Sequence, residues 1–322
     1  MFKNLILYRI APEWTPSLTT LEQALDGGRF EPCAPSQERA VGWVPPRGQA
    51  HGALAESVGG QWVLRLMTES RVLPSSVVAR KAQEMAAAIE ASTGRKPGRK
   101  ETRELKEEAR QTLLPQAFTQ QGSVTVWIDP AARLLAVDAG SQARADELVT
   151  VLVKAVDGLG LALIDTRSSP AGAMAAWLAE GEAPAGFSID RECELKAADE
   201  SKAVVRYARH PLDTEEVRAH IAQGKMPTRL ALVWADRVAF TLTEGLQLKK
   251  IGFLDSVFEG RGDAEEGFDA DVAIATGELS QLLPELLEAL GGESVPGQAA
   301  PAPAPAPAAG GHQDSAAVCD DF

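Results

Sequence analysis

Residues 94–100, Gly-Arg-Lys-Pro-Gly-Arg-Lys, stand between two stretches of helical periodicity and restrict the fold more than any other feature. Upstream, Val77, Val78, Ala82, Met85, Ala86 and Ile89 recur at helical spacing, with Ser75-Ser76 as the expected cap. Downstream, Glu101 to Leu114 is helical in pattern and dense in mixed charge, and Pro115 ends it. Glycine and proline in so short a connection turn the two helices back on one another as an antiparallel hairpin. The apolar face of the second helix is thin, so residues 75–118 are expected to project from the body as a tip.

Around this hairpin the pattern is mainly β. Phe2–Ile10 and Gln61–Thr68 alternate as strands do, and Ser123–Ile128 with Leu134–Asp138 reads as a hairpin around Asp129-Pro130. Thr15-Pro16-Ser17 supplies a helix start, with Leu18, Leu21 and Ala24/Leu25 on one face, and 141–156 is a second helix. Gly42-Trp43-Val44-Pro45-Pro46 excludes regular helix. Further strands are expected at Phe187–Leu195, Ala203–Tyr207, Arg229–Trp234, Val238–Thr243 and Leu248–Phe253, with helices at 213–222 and 272–290. The chain is therefore expected to be α+β, with mixed antiparallel sheets and helices. Residues 1–74 and 119–168 form a central region, 169–292 a β-rich base, and 293–322 a disordered Pro/Ala-rich acidic tail.

A net charge of −13 seems to oppose a nucleic-acid partner, but its distribution removes the objection. Residues 251–322 hold fourteen acidic side chains and one basic one, so the preceding 250 residues are neutral overall. Within them, 71–110 carries ten Lys/Arg against six Asp/Glu, and 202–250 carries nine against five. Local patches set the field that a phosphate backbone meets. The candidate contacts are Arg95, Lys96, Arg99 and Lys100 at the tip, and Arg206, Arg209, Lys225 and Arg229 in the β-rich part.

Chemistry is harder to find. Cys33, Cys193 and Cys319 are isolated thiols, without the short spacings of a disulfide framework or a zinc site. Phosphate-cradling glycine loops, metalloprotease histidine pairs and nucleophile elbows are all missing from the sequence. Asp269-Ala270-Asp271 could share Mg²⁺ if the chain there were extended, which keeps a metal-dependent nuclease or phosphatase open as an alternative. The other alternative is a protein-interaction module acting through the tail and its terminal Asp-Asp-Phe. No catalytic residue, metal or cofactor is otherwise expected. No stretch approaches the ~20 apolar residues of a membrane span, and the expected location is the cytoplasm.

Several short stretches, in order along about residues 1–293, resemble the recombination-associated protein RdgC family. They are Met1-Phe2-Lys3-Asn4-Leu5 with Tyr8-Arg9, Gly42-Trp43-Val44-Pro45-Pro46, Leu73-Pro74-Ser75, Leu113-Leu114-Pro115 with Ala117-Phe118, and Trp127-Ile128-Asp129. Gly224-Lys225, Leu230-Ala231-Leu232, Phe268-Asp269-Ala270-Asp271 and Thr276-Gly277-Glu278-Leu279 continue the series. The resemblance implies a sequence-nonspecific DNA binder, nucleoid-associated, that forms a ring-shaped homodimer, antagonises the RecA recombinase and acts in replication-fork repair without a cofactor. It implies a dimer contact at Phe118, with Gln116 where the family can carry arginine. It also implies a site near the DNA path or the opposite interface at Arg209-His210, where the family has Lys-Gln, and a basic position at Lys225.

Overall fold

The computed structural model describes residues 2–15, 17–258 and 267–294. Two antiparallel sheets and seven helices make up these residues. The first sheet runs in the order β2 (Arg39–Val44), β4 (Gln61–Arg71), β5 (Thr119–Asp129), β6 (Leu134–Val137), β1 (Ile6–Ile10), β7 (Leu161–Leu163). A short strand, β3 (Ala55–Val58), pairs with the start of β4.

Period-two alternation explains why this sheet is buried on both faces at its centre. Ile6, Tyr8, Val126, Ile128, Leu135 and Val137 face α1 (Leu18–Asp26) and α4 (Gln142–Ala155) and share a core with them. Leu7, Trp127, Leu134 and Ala136 alternate with those residues and enter a second core. Ser17 caps α1, its hydroxyl accepting from the Thr20 N–H at 3.3 Å.

The second core joins the two sheets. The other sheet has the order β12 (Leu248–Phe253), β11 (Val238–Thr243), β10 (Lys225–Trp234), β8 (Phe187–Ala197), β9 (Val204–Ala208). One of its faces, through Cys193, Leu195, Leu230, Leu232, Phe240 and Leu242, packs with α5 (Pro170–Glu180) and α7 (Phe268–Ala289). On α7, Val272, Ala275, Leu279, Leu282, Leu283 and Leu286 are buried at the spacing of one helical face. Leu5 and Leu248 exchange backbone hydrogen bonds of 2.8 and 3.1 Å, tying the first strand to β12. α6 (Glu215–Ala222), capped by the Thr214 hydroxyl, lies against β10.

The helical hairpin consists of α2 (Ser75–Thr93) and α3 (Arg99–Leu113), with its own small core of Ala82, Leu105 and Ala109. Two boundaries differ from expectation. Ser75 is the first helical residue and Pro74 the cap position, its carbonyl accepting from Val77 and Val78 at 3.0 and 3.3 Å. α3 starts two residues before Glu101, because the Glu101 carboxylate turns back to accept the Gly98 N–H at 2.8 Å. Arg99 and Lys100 therefore belong to the first turn of a helix, while Arg95 and Lys96 stay in the connecting turn. Cys193 is buried and Cys33 half-buried, whereas Cys319 and the 293–322 tail beyond Ser294 lie outside the described residues. No helix among the described residues is long and apolar enough to cross a membrane.

Candidate nucleic-acid interface

The outward face of the second sheet follows from the register of its strands. Residues directly opposite one another in an antiparallel pair lie on the same face. Thr243 pairs with Arg229, Arg229 with Glu194, and Glu194 with Arg206, giving one cross-strand row over β11, β10, β8 and β9. Their neighbours Leu230, Cys193 and Tyr207 point the other way, into the core.

Beside this row lies an open groove of about 540 Å³, lined by Arg206, Arg229, Lys249 and Lys250 with Asn4, Glu192, Glu194 and Thr241. Arg206 Nε donates to Glu194 Oε2 at 2.6 Å, and the Thr228 hydroxyl donates to Glu194 Oε1 at 2.8 Å. Those two hydrogen bonds, with help from the Arg229 charge, hold the Glu194 carboxyl below its usual range. Lys250 Nζ meets Glu192 Oε2 at 2.6 Å, and Lys249 Nζ donates to the Gly140 carbonyl at 3.0 Å. Arg229 has no carboxylate partner among the described residues.

Of the sequence-predicted contacts in this half, the groove brings together Arg206 and Arg229. Arg209 and His210 follow Ala208, a groove-lining residue, and both are exposed. Arg209 has a left-handed backbone (φ 55°), and the His210 ring stacks at a tilt 5.6 Å from Tyr207. Lys225 is separate. Its Nζ lies 2.9 Å from His220 Nδ1, which places it on the α6 side of the sheet. Lys249 and Lys250 were not among the sequence candidates. Their only sequence signal is that adjacent lysines in a strand cannot both face a core.

At the tip, Arg95 forms a two-pronged pair with Glu101 at 2.5 and 2.8 Å, and the carboxyl of Glu101 is pulled down to about 2, by Arg95 first and then by the Gly98 N–H. Lys96 and Lys100 stand 4.0 and 3.8 Å from Glu90 and Glu104, and Arg99 has no carboxylate partner among the described residues. Cations in the first turn of α3 oppose the helix dipole, so helix stability does not account for Arg99 and Lys100.

Phe118 is 86% exposed, the most exposed large apolar side chain among the described residues, and Gln116 beside it is also in solvent. A packed core aromatic would be neither. The preceding turn is fastened by Arg71, whose guanidinium donates to the carbonyls of Leu114, Ala117, Cys33 and Ala34 at 3.1–3.3 Å.

The extended Asp269–Asp271 segment required for a shared Mg²⁺ does not occur. Both residues lie in the first turn of α7, where i and i+2 diverge by about 200°. Asp269 instead accepts from Arg47 at 2.5 and 3.2 Å. Glu259, Asp263, Glu265 and Glu266, the acidic residues that shortly precede this segment in the sequence, lie outside the described residues. Among the described residues no three His, Cys, Asp or Glu side chains are grouped to hold a metal ion.

The model of one family, described as "Putative exonuclease, RdgC", matches residues 1–293. A recombination-associated protein RdgC from Dechloromonas aromatica is 49% identical over 301 residues, covering 91% of this chain and 98% of its own length. Proteins of the same name from Cupriavidus pinatubonensis and a Janthinobacterium species are 46% and 45% identical, each over 91% of this chain and 98% of their own length. With a family match over nearly all of the described chain and relatives of this similarity, the protein belongs to the RdgC family.

Proposed function

We propose that this protein binds DNA without sequence preference and without altering it, as a homodimer that encircles or clamps the nucleic acid. In that state it limits loading of a RecA-type recombinase during recombination and replication-fork repair, in the cytoplasm at the nucleoid. One observation carries the proposal: Arg206, Arg229, Lys249 and Lys250 line a single open groove on an outward sheet face. Such a surface neutralises phosphates, and phosphate contacts fix position on a duplex without carrying sequence information. A two-fold axis would present the groove and the basic tip twice around one path. Exposed Phe118, beside Gln116, supplies the apolar contact for closing such a dimer.

Arg209, His210 and Lys225 take secondary places, next to the groove or behind it. The test is fluorescence anisotropy with labelled duplexes of equal length and unrelated sequence. Equal affinities support a phosphate clamp, and a preference of more than about tenfold for one sequence, on the scale of a specific base contact, contradicts it.

The family description "Putative exonuclease, RdgC" motivates a second reading, a nuclease, though not one that shares Mg²⁺ between Asp269 and Asp271, which diverge on α7. End-labelled DNA incubated with the protein and Mg²⁺ separates the two: a clamp leaves the label at full length, whereas protein-dependent shortening establishes the nuclease. A module acting on the recombinase directly would inhibit it even after charge reversal in the groove.

A further inference from the structure

We infer that Glu192 and Glu194 act as resident substitutes for phosphate in the groove, occupying its cations when DNA is absent and weakening DNA binding. This rests on the groove being the DNA contact and adds a control over it. Two of the four groove cations are already engaged: Arg206 by Glu194 at 2.6 Å and Lys250 by Glu192 at 2.6 Å. Carboxylate and phosphate oxygens offer the same charged acceptors to guanidinium and ammonium groups. A phosphate that takes either cation must displace the carboxylate and then lie beside it.

Glu194 is the more strongly placed of the pair. It sits between Arg206 and Arg229 in the cross-strand row, its side chain only 17% exposed, while Arg206 is 74% exposed. Thr228 fixes its second oxygen, so the carboxylate points at the arginine rather than sweeping through solvent. For Glu192 a purely structural role explains little, because its solvent-open pair with Lys250 contributes at most about 1 kcal/mol to folding. Each carboxylate does more to an incoming polyanion. It withdraws a cation and adds a repulsive charge inside the contact surface. The groove is thereby set for contacts that form and release readily.

The experiment compares E192Q/E194Q with the wild-type protein by anisotropy on a random-sequence duplex at about 50 mM salt, and repeats it as salt is raised. The expected result is roughly three- to tenfold tighter binding at low salt, with the gain shrinking as screening increases. E180Q/E288Q, which removes two exposed carboxylates outside the groove, should bind as the wild type does. Unchanged or weaker binding by E192Q/E194Q overturns the inference, and so does equal tightening by the control pair, which would show a net-charge effect. E192Q alone, at a residue without the Thr228 contact, should give part of the gain and guards against a folding defect at Glu194. If the wild-type protein itself fails to bind DNA at low salt, the groove assignment fails, and that outcome is distinct from the others.

Discussion

The guanidinium of Arg71 donates to the Ala117 carbonyl at 3.1 Å, and the next residue, Phe118, stands in solvent with 86% of its surface exposed. The Val72 N–H holds the Phe118 carbonyl at 2.7 Å, so the backbone is fixed on both sides of an unpacked aromatic ring. Phe118→Ala should therefore change the stability of the protomer by no more than about 0.5 kcal/mol. If the proposed homodimer closes through this ring, the same change should shift it towards monomer in sedimentation equilibrium. Arg71→Met should also weaken that proposed dimer, and lower stability by about 1–3 kcal/mol as the carbonyls lose their charged donor. A Phe118→Ala protein that dimerises as tightly as the wild type removes this residue from the interface.

Gly42 is required by close packing. A Cβ built on it would lie 2.4 Å from the Phe30 Cα, where the segment after α1 crosses β2. Gly42→Ala should cost about 1–3 kcal/mol in urea unfolding, the range for forcing extra volume into a packed site. Gly59→Ala serves as comparison, since nothing lies near its Cβ and only its left-handed backbone (φ 57°) resists substitution.

Glu101 and Glu194 share one sign of pH dependence. Hydrogen bonds from Arg95 and from Arg206, respectively, depress both carboxyls from an ordinary 4.5. A depressed carboxyl contributes stability above its unfolded value, and the contribution is lost as pH falls through the folded one. For Glu101 that window runs from 4.5 down to about 2. The stability of Glu101→Gln should thus converge on that of the wild type in acid and differ at neutral pH, measured by thermal unfolding from pH 7 to pH 2. Both carboxyls stay ionised between pH 6 and pH 8, so titration of neither should change stability or DNA affinity across that range.

The local alternation of residues made most strands legible, because one buried face imposes period two on the sequence. β3 escaped notice: its four residues have only one fully buried side chain, Ala55, and no pattern forms over so short a run. The groove was harder to foresee. Which cations share a face depends on register across β8, β9 and β10, and on shifts such as the one between Ala239 and Thr241 beside Lys249. Lys250 adopts φ 53°, a bulge-like turn that no spacing rule indicates. Pairing of distant strands brought Arg206 and Arg229 together and left Lys225 against His220, although all three read alike in sequence. Phe118 was legible only through family resemblance, since an isolated aromatic next to a strand ordinarily packs inward.

Charge reversal should rank the cationic positions. Arg206→Glu with Arg229→Glu should weaken DNA binding by at least about tenfold at low salt, and Lys249→Glu with Lys250→Glu by a similar factor. Lys225→Glu should weaken it less, because that side chain lies on the other side of the sheet. Equal losses for all three, measured by anisotropy on one duplex, would contradict a contact centred on the groove.

The most direct test is the salt dependence of DNA affinity for the wild-type protein and for the Arg206→Ala/Arg229→Ala variant. A phosphate clamp predicts a linear fall of log affinity with log salt, each neutralised phosphate adding roughly 0.9 to the slope. The variant should show a slope shallower by about two such contacts. A wild-type affinity independent of salt, no binding at low salt, or an unchanged slope in the variant would contradict DNA clamping through this groove.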